Sequence, residues 1–407
     1  MRPSKICRKL TGVEALYASE IRIEDSGLVF NVRPRWNKPR CGCCGRRAPR
    51  YDRRDERDWR HLPVGETVLW LRYAPRRVAC PCCGVTVEQV PWARRNSRFT
   101  VGLEEWVAYL VPLMDRTAIT RLVGISWRSV TAIVDRIVAE RLPPDRLSGL
   151  RAIGVDEFSY RKRDRYITVV VDHDRDRVIW AAEGRGADAL AGLFKQLGEA
   201  GCAAIETVTM DMAGGYKKAV REHLPHARIV FDRFHVQRLS SEAVDAVRRG
   251  EVRSAAEPAT ARAIKRSRYA LLKSPWNLTR RDQDKLADVQ AHNKRLFRAR
   301  LLNDTLADAL DYRQPKRARS ALDDWLSWAS RSKLEPFVRL ARTIRAHKEG
   351  ILAYIGERYT NAIVEGINNR MRMIARRAYG FHSRKALISM LFLCKGGIEL
   401  NPPLPAH

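Results

Sequence analysis

Along the 407-residue chain, apolar positions change period three times. Between residues 101 and 139 they recur every three or four places: an apolar stretch over 101–114, a short one over 118–123, Gly124, then Ser126 before a run from Trp127. That spacing predicts helix, short helix, glycine turn, helix, with Ser126 capping the last. From 150 onward, short apolar runs at 152–155, 166–171, 177–182, 204–210 and 228–231 predict strands, with helical patterns at 187–199 and 216–224 separating the later ones. Three strands in succession followed by helix, strand, helix, strand predict an antiparallel meander that turns parallel. From about 250 to 353 no strand pattern recurs, and Leu322, Trp325, Leu326 and Trp328 mark an internally packed helical stripe. Pro143-Pro144-Asp145 predicts a linker.

Charge narrows the class of partner. The formal net charge is +30, dominated by Arg and spread along the chain, a field that attracts polyanions and resists compaction unless screened. Nucleic acid is the first candidate. A ribosome or an anionic membrane surface also suits the charge, but neither accounts for the cysteines and carboxylates. No run of about 18 uncharged apolar residues exists to cross a bilayer. The basic first ten residues have no apolar segment behind them, so a cytoplasmic protein without a secretory leader is expected.

Six of the nine cysteines fall in two knuckles, Cys41-Gly42-Cys43-Cys44-Gly45 and Cys80-Pro81-Cys82-Cys83-Gly84. Two Cys-x-x-Cys turns, each closed by glycine, provide the four soft ligands that tetrahedral zinc prefers. Cys41, Cys44, Cys80 and Cys83 are the expected ligands of one structural zinc ion; a register through Cys43 and Cys82 is the alternative. Free or redox-active thiols would be the other use of these residues. The stretch between the knuckles carries Arg46, Arg47, Arg50, Arg53, Arg54 and Arg57, then Trp59 and a strand-like 66–73. On this reading metal closes a basic loop too charged to fold around a core of its own. Its arginines touch phosphates or form a solvated face. In the helical stretch that follows, a helix-turn-helix would present Trp127, Arg128, Ser129 and Thr131 to a major groove, and an ordinary helical hairpin is the alternative.

The strand order suits a ribonuclease H-like mixed sheet, in which Asp156 and Asp211 leave neighbouring strands and converge. Two close carboxylates raise each other's pKa unless divalent cations lie between them. Oxygen donors with no nearby Cys or His favour magnesium or manganese. Glu157 points to the opposite side of the strand and is not expected to be a ligand. Asp232 is read as a helix N-cap and His235 as a first-turn residue. Downstream, Asn361, Glu365, Asn368 and Arg372 recur at helical spacing, placing a carboxylate between amides on one face.

Taken together, Ile-Gly-Val-Asp156-Glu-Phe, Thr-Met-Asp211-Met, Phe-Asp-Arg-Phe-His235, Thr-Asn-Ala-Ile-Val-Glu365-Gly-Ile-Asn and Arg376-Arg377-Ala-Tyr379-Gly380-Phe381, behind the first knuckle, resemble insertion-sequence transposases of the ISL-three type over nearly the whole chain. The likeness departs at Gly42, where the family often has the proline that the second knuckle has at Pro81. The resemblance implies a multidomain α+β protein: a zinc-ribbon DNA-binding region at 1–98, a helix-turn-helix at 99–142, a ribonuclease H-like catalytic core at 150–249, an all-helical insertion at 250–353, and a C-terminal helical part of the core at 354–400 bearing Glu365. It implies Asp156, Asp211 and Glu365 as a catalytic triad holding two magnesium (or manganese) ions for DNA strand cleavage and strand transfer. Arg370, Arg372, Arg376 and Arg377 would position phosphates without reading bases. The expected partner is double-stranded DNA, both the terminal inverted repeats and the target, bound by a homo-oligomer associated with a prokaryotic nucleoid. A DNA-binding transcriptional regulator and a metal-dependent structure-specific nuclease are the rival readings.

Overall fold

The computed structural model describes residues 2–161, 165–212, 214–357, 366–367, 369–370, 372–374 and 383–400. Two compact units divide at Leu142 and Pro143, in the Pro-Pro-Asp stretch.

The first unit opens with α1 (Pro3–Thr11), then β1 (Leu16–Glu24), β2 (Gly27–Pro34), β3 (Arg50–Arg53), β4 (Arg57–Arg60), β5 (Leu69–Tyr73), β6 (Arg76–Cys80) and β7 (Gly84–Val87), and closes with α2 (Val101–Leu110), α3 (Arg116–Val123) and α4 (Trp127–Arg141). Its strands form two sheets, ordered β1-β2-β5-β4 and β3-β6-β7. The smaller sheet is the ribbon. The larger corrects the sequence reading, because the inter-knuckle stretch does have a core. Trp59 and Leu71 are buried with Leu16, Phe30 and Leu69, and Trp92 meets Trp59 and Tyr73 edge-on at 5.8 and 5.6 Å. Aromatic pairs at such angles add about 0.5–1.5 kcal/mol each beyond the area they bury. The missing half of that core comes from β1 and β2.

Three hydrogen-bonded devices fix the helix-turn-helix to the strands of the same unit. Thr100 caps α2, accepting from the Leu103 N–H, and its hydroxyl lies 2.7 Å from Nδ1 of the buried His61. Arg60 donates to the carbonyls of Val123 and Gly124, each at 2.6 Å, capping the C-terminus of α3 where its dipole is negative. Arg94 reaches Glu104, Glu105 and Glu140, while Arg136 and Arg141 take second places on Glu104 and Glu105.

The second unit contains β8 (Ala152–Arg161), β9 (Arg165–Asp172), β10 (Arg177–Glu183), α5 (Ala187–Ala203), β11 (Thr207–Met210), α6 (Gly214–His223) and β12 (Arg228–Phe231). Helices α7 (Arg233–Ser254), α8 (Pro258–Arg266), α9 (Arg268–Leu272), α10 (Arg280–His292), α11 (Lys294–Asp311), α12 (Pro315–Arg331), α13 (Glu335–Glu357) and α14 (Arg384–Lys395) follow. The sheet is ordered β10-β9-β8-β11-β12, antiparallel through β8 and parallel from β8 to β12, the ribonuclease H-like order expected.

One core runs from the sheet into the helical insertion. Ile153, Val155 and Val208 belong to the same buried cluster as Leu302, Leu322 and Trp325, and the Trp325 indole N–H donates to the Leu302 carbonyl at 2.7 Å. Gly350 lets α13 lie directly on β12: a Cβ there would stand 2.5 Å from the Phe231 ring and 3.0 Å from the Ile229 carbonyl.

Candidate functional site

The sheet places Asp156 and Asp211 by register. Thr207, Val208 and Thr209 of β11 pair with Ala152, Ile153 and Gly154 of β8, so continuing the register by two residues sets Asp211 beside Asp156. Side chains alternate along a strand, so both carboxylates share a face with Gly154 and Thr209. Beyond β11, Met210 pairs with Phe231, and the next step sets Asp232 beside Asp211. Three aspartates thus stand in a row across three parallel strands.

Their surroundings differ. Asp156 is not at a strand end, as the sequence reading had it: β8 continues five residues past it, because Asp156 to Ser159 go on pairing with β9 after β11 has ended. It is 9% exposed. Burial pushes its carboxyl above the usual range; the Glu157 N–H, which donates to it at 2.7 Å, and His235 oppose this, and Asp211 reinforces it. Asp211 is half-buried with Arg238 of α7 at 3.7 Å. Asp232 is the N-cap of α7, accepting from the Phe234 N–H, as expected.

One turn on, His235 is buried, and its Nε2 has no hydrogen-bond partner among the described residues. The sequence reading places His235 in the first turn of this helix and does not pick out Arg238. Their one legible signal is position, since both lie in the first two turns of the helix that follows the row.

Glu157 obeys the strand alternation. It pairs with Thr168, whose hydroxyl lies 2.8 Å from that of Tyr216 in the first turn of α6. Burial raises its carboxyl too, with Arg185 opposing and Asp211 adding.

Glu365, Arg376 and Arg377 lie outside the described residues. Arg370 and Arg372 are exposed, and Arg372 donates to the Asn369 side chain at 2.9 Å.

A divalent cation suits the donors in the row. They are oxygens of adjacent carboxylates, one buried with its charge disfavoured, and a hard cation between them removes that penalty.

At the ribbon, Cys41, Cys44, Cys80 and Cys83 bring their Sγ atoms within 4.8 Å of one another. Cys44 and Cys80 are 3.6 Å apart, close to the about 3.8 Å edge of a tetrahedron with zinc–sulfur bonds of about 2.3 Å. The backbone N–H groups of Cys82 and Cys83 favour the Cys80 thiolate, lowering its pKa to about 7. Gly45 and Gly84 turn left-handed, with φ 71° and 68°, as tight knuckles require. Cys43 and Cys82 are exposed and accept from Arg95 and Arg46, at 3.3 and 2.9 Å, so the alternative register is not the one formed. The glycine at position 42 also has a reason: a Cβ there would meet the Val87 carbonyl at 2.5 Å. The donor set fits a structural zinc ion.

In the helix-turn-helix, Gly124 takes φ 65° at the turn and Ser126 caps α4 through the Ser129 N–H. Arg128 is exposed; Trp127, Ser129 and Thr131 are half-buried, with Arg116 lying 5.6 Å from the Trp127 ring. Ser129 Oγ pairs with Ser126 Oγ, and Thr131 Oγ1 donates to the Trp127 carbonyl. A cavity of about 820 Å³ beside the turn is lined by Arg54, Arg57, Arg60 and Arg98 as well as by Ser126 and Ser129. The ribbon's basic loop and the start of α4 therefore share one groove.

Comparison with known proteins places each part. Residues 153–391 match a family model described as a transposase of the DDE ISL3 type. Residues 88–138 match the helix-turn-helix domain of transposase family ISL3, and 37–83 the zinc-finger of transposase IS204/IS1001/IS1096/IS1165. The chain is 37% identical to the transposase for insertion sequence element IS1557 of Mycobacterium tuberculosis, over all of this chain and 98% of that one. It is 31% identical to the transposase for insertion sequence element IS1001 of Bordetella parapertussis, over 89% of this chain and 90% of that one.

Proposed function

Because this chain belongs to the ISL3 family of transposases, enzymes that act on DNA, we propose that it binds the terminal inverted repeats of its own insertion sequence and carries out metal-dependent strand cleavage followed by strand transfer. The observation that carries the reading is the register that sets Asp211 beside Asp156 on one face.

Asp156, Asp211 and Glu365 are the proposed catalytic carboxylates, with Glu365 taken from its sequence context. These carboxylates would hold two magnesium or manganese ions, which would supply Lewis acidity to activate a water or a DNA 3′-hydroxyl and to steady the leaving oxygen. The protein's own groups do the rest. Arg238 of α7, 3.7 Å from the Asp211 carboxylate, offsets part of its charge, and the Glu157 N–H orients the Asp156 carboxylate. Arg370 and Arg372, exposed as phosphate contacts must be, position the backbone with Arg376 and Arg377. No serine or tyrosine nucleophile is required.

In the first unit, Trp127, Arg128, Ser129 and Thr131 read the repeat while the ribbon arginines grip phosphates beside them. Two ends must meet, so the active species is at least a dimer on DNA.

The test is to incubate the purified protein with the DNA flanking its own gene, magnesium and a target plasmid. Ends joined to the plasmid are expected. Nicking without joining would make it a nuclease, and binding with neither reaction a regulator; either overturns the proposal.

A further inference from the structure

The second unit has a basic cleft that the reading above does not use. It is open, encloses about 770 Å³, and lies between α6, the edge strand β12 and the insertion helices α12 and α13. Among the described residues, seven Lys or Arg side chains line it, against the single carboxylate of Glu349.

Local pairing leaves most of that charge uncompensated. Arg319 is held by Glu349 through two hydrogen bonds of 2.8 Å, and Lys348 by Asp323. Among the described residues, Lys217, Arg221, Lys316 and Arg345 have no carboxylate in ion-pair contact. Lys217 stands 5.9 Å from the centre of the Phe231 ring, and both burial and the neighbouring Arg221 disfavour its charge. Like charges gathered on one wall cost free energy unless an anion joins them. Lys316, Arg319 and Arg345 are exposed at the rim and Lys217 half-buried at the floor, so the positive surface extends inward.

Position says which anion. Ile229 and Phe231 of β12 line the cleft, and the residue after Phe231 is Asp232, at the end of the aspartate row. Strand alternation turns Phe231 to the face opposite Asp232, so the cleft neighbours the row but lies round the sheet edge from it. The stretch of backbone held there flanks the phosphate that reacts, and because the ends already have their reader in the first unit, the duplex left without a surface of its own is the target. The open form admits a polymer passing through. The wall is built of charges that contact phosphates, which position DNA without selecting sequence.

We infer that this cleft binds the phosphodiester backbone of the target duplex, holding it round the edge of the sheet from the carboxylates. The inference rests on the strand-transfer reading.

Its test uses the full-length protein, the double variant Lys316→Gln/Arg345→Gln and the variant Glu349→Gln. Affinity for a random-sequence duplex is measured against salt concentration, and cleaved and joined products are counted with repeat-bearing ends and a target plasmid. The double variant is expected to flatten the salt dependence by about one unit of log–log slope per side chain removed. Its ratio of joined to cleaved product should fall about tenfold at limiting target. Glu349→Gln frees Arg319 and should steepen the slope. All three substitutions are at exposed positions, and unchanged melting temperatures verify folding. Unchanged slopes in both variants overturn the cleft as a DNA site. Loss of cleavage in step with joining overturns the target assignment in favour of the element's ends. Wild-type protein that neither cleaves nor joins defeats the strand-transfer reading and the target assignment with it, while the slopes still decide whether the cleft holds DNA.

Discussion

Asp211 stands beside Asp156 because β11 and β8 run parallel in a register that carries both carboxylates to the same face. The pair makes opposite demands on stability and function. Asp156 is buried with its charge disfavoured, so Asp156→Asn should raise the melting temperature of metal-free protein at pH 7. The same variant should lose the rise that magnesium gives the wild type, and should lower end cleavage by more than about 100-fold. Melting with EDTA and with magnesium, beside a nicking assay, checks both. A variant that melts lower than wild type in EDTA contradicts the account of the buried charge.

Zinc stoichiometry separates the two sets of knuckle cysteines. One zinc ion per chain is expected, retained by Cys43→Ser and Cys82→Ser and lost by Cys44→Ser or Cys80→Ser. Metal analysis after dialysis measures it. Zinc retained by Cys80→Ser would mean that the four converging thiols are not the site.

Arg60 bonds to two carbonyls at the turn between α3 and α4. Arg60→Ala should cost about 1.5–3 kcal/mol, the range for charged hydrogen bonds. Amide exchange should quicken most in α3 and the start of α4. Exchange that quickens uniformly, or not at all, would show that the contact does not fix the turn.

Recognition should be graded along α4. Arg128 is exposed and free to reach base edges, whereas the hydroxyls of Ser129 and Thr131 are already engaged within the helix. Arg128→Ala is expected to weaken repeat binding by about 1–3 kcal/mol. Non-specific binding should change little, and Ser129→Ala and Thr131→Ala should have smaller effects. Competition binding with repeat and scrambled duplexes reads the difference.

His61 gives the first unit a dependence on pH. Its Nε2 lies 3.1 Å from the Leu10 carbonyl, which only accepts, so the proton is on Nε2 and Nδ1 accepts from the Thr100 hydroxyl. Burial pushes its pKa below the ordinary histidine value, opposed by the bond to Leu10. A lowered folded pKa means that the unfolded chain binds more protons as the pH drops below about 6.5. Stability from His61 is therefore complete above that pH and declines below it, towards the folded pKa. Urea denaturation of wild type and His61→Gln between pH 5 and 8 should show a smaller pH dependence in the variant.

Legibility followed the range of the interactions. The order of strands and helices after residue 150 could be read because each element carries its own period, and the knuckles because ligand spacing is local. Strands β1 and β2 escape the sequence reading although Glu20, Arg22 and Glu24 alternate with Ile21 and Ile23 as in a strand, because their core forms only through the distant pairing of β2 with β5. Asp156 reads as a strand end because the apolar run stops there, while its extended continuation depends on β9. Arg60 and Gly124 are 64 residues apart, and the basic cleft joins helices about a hundred residues apart in sequence. No local pattern marks either.

The close approach of Gly350 to β12 bears on how copies of the protein assemble. An uncovered edge strand offers its amides and carbonyls to any passing chain. Here α13 lies against that border of the sheet, near enough that even a methyl group at 350 would collide with it. A second copy cannot extend the sheet through β12, so any copies that assembled on DNA would have to meet through other surfaces, leaving each sheet and its aspartate row whole within its own chain.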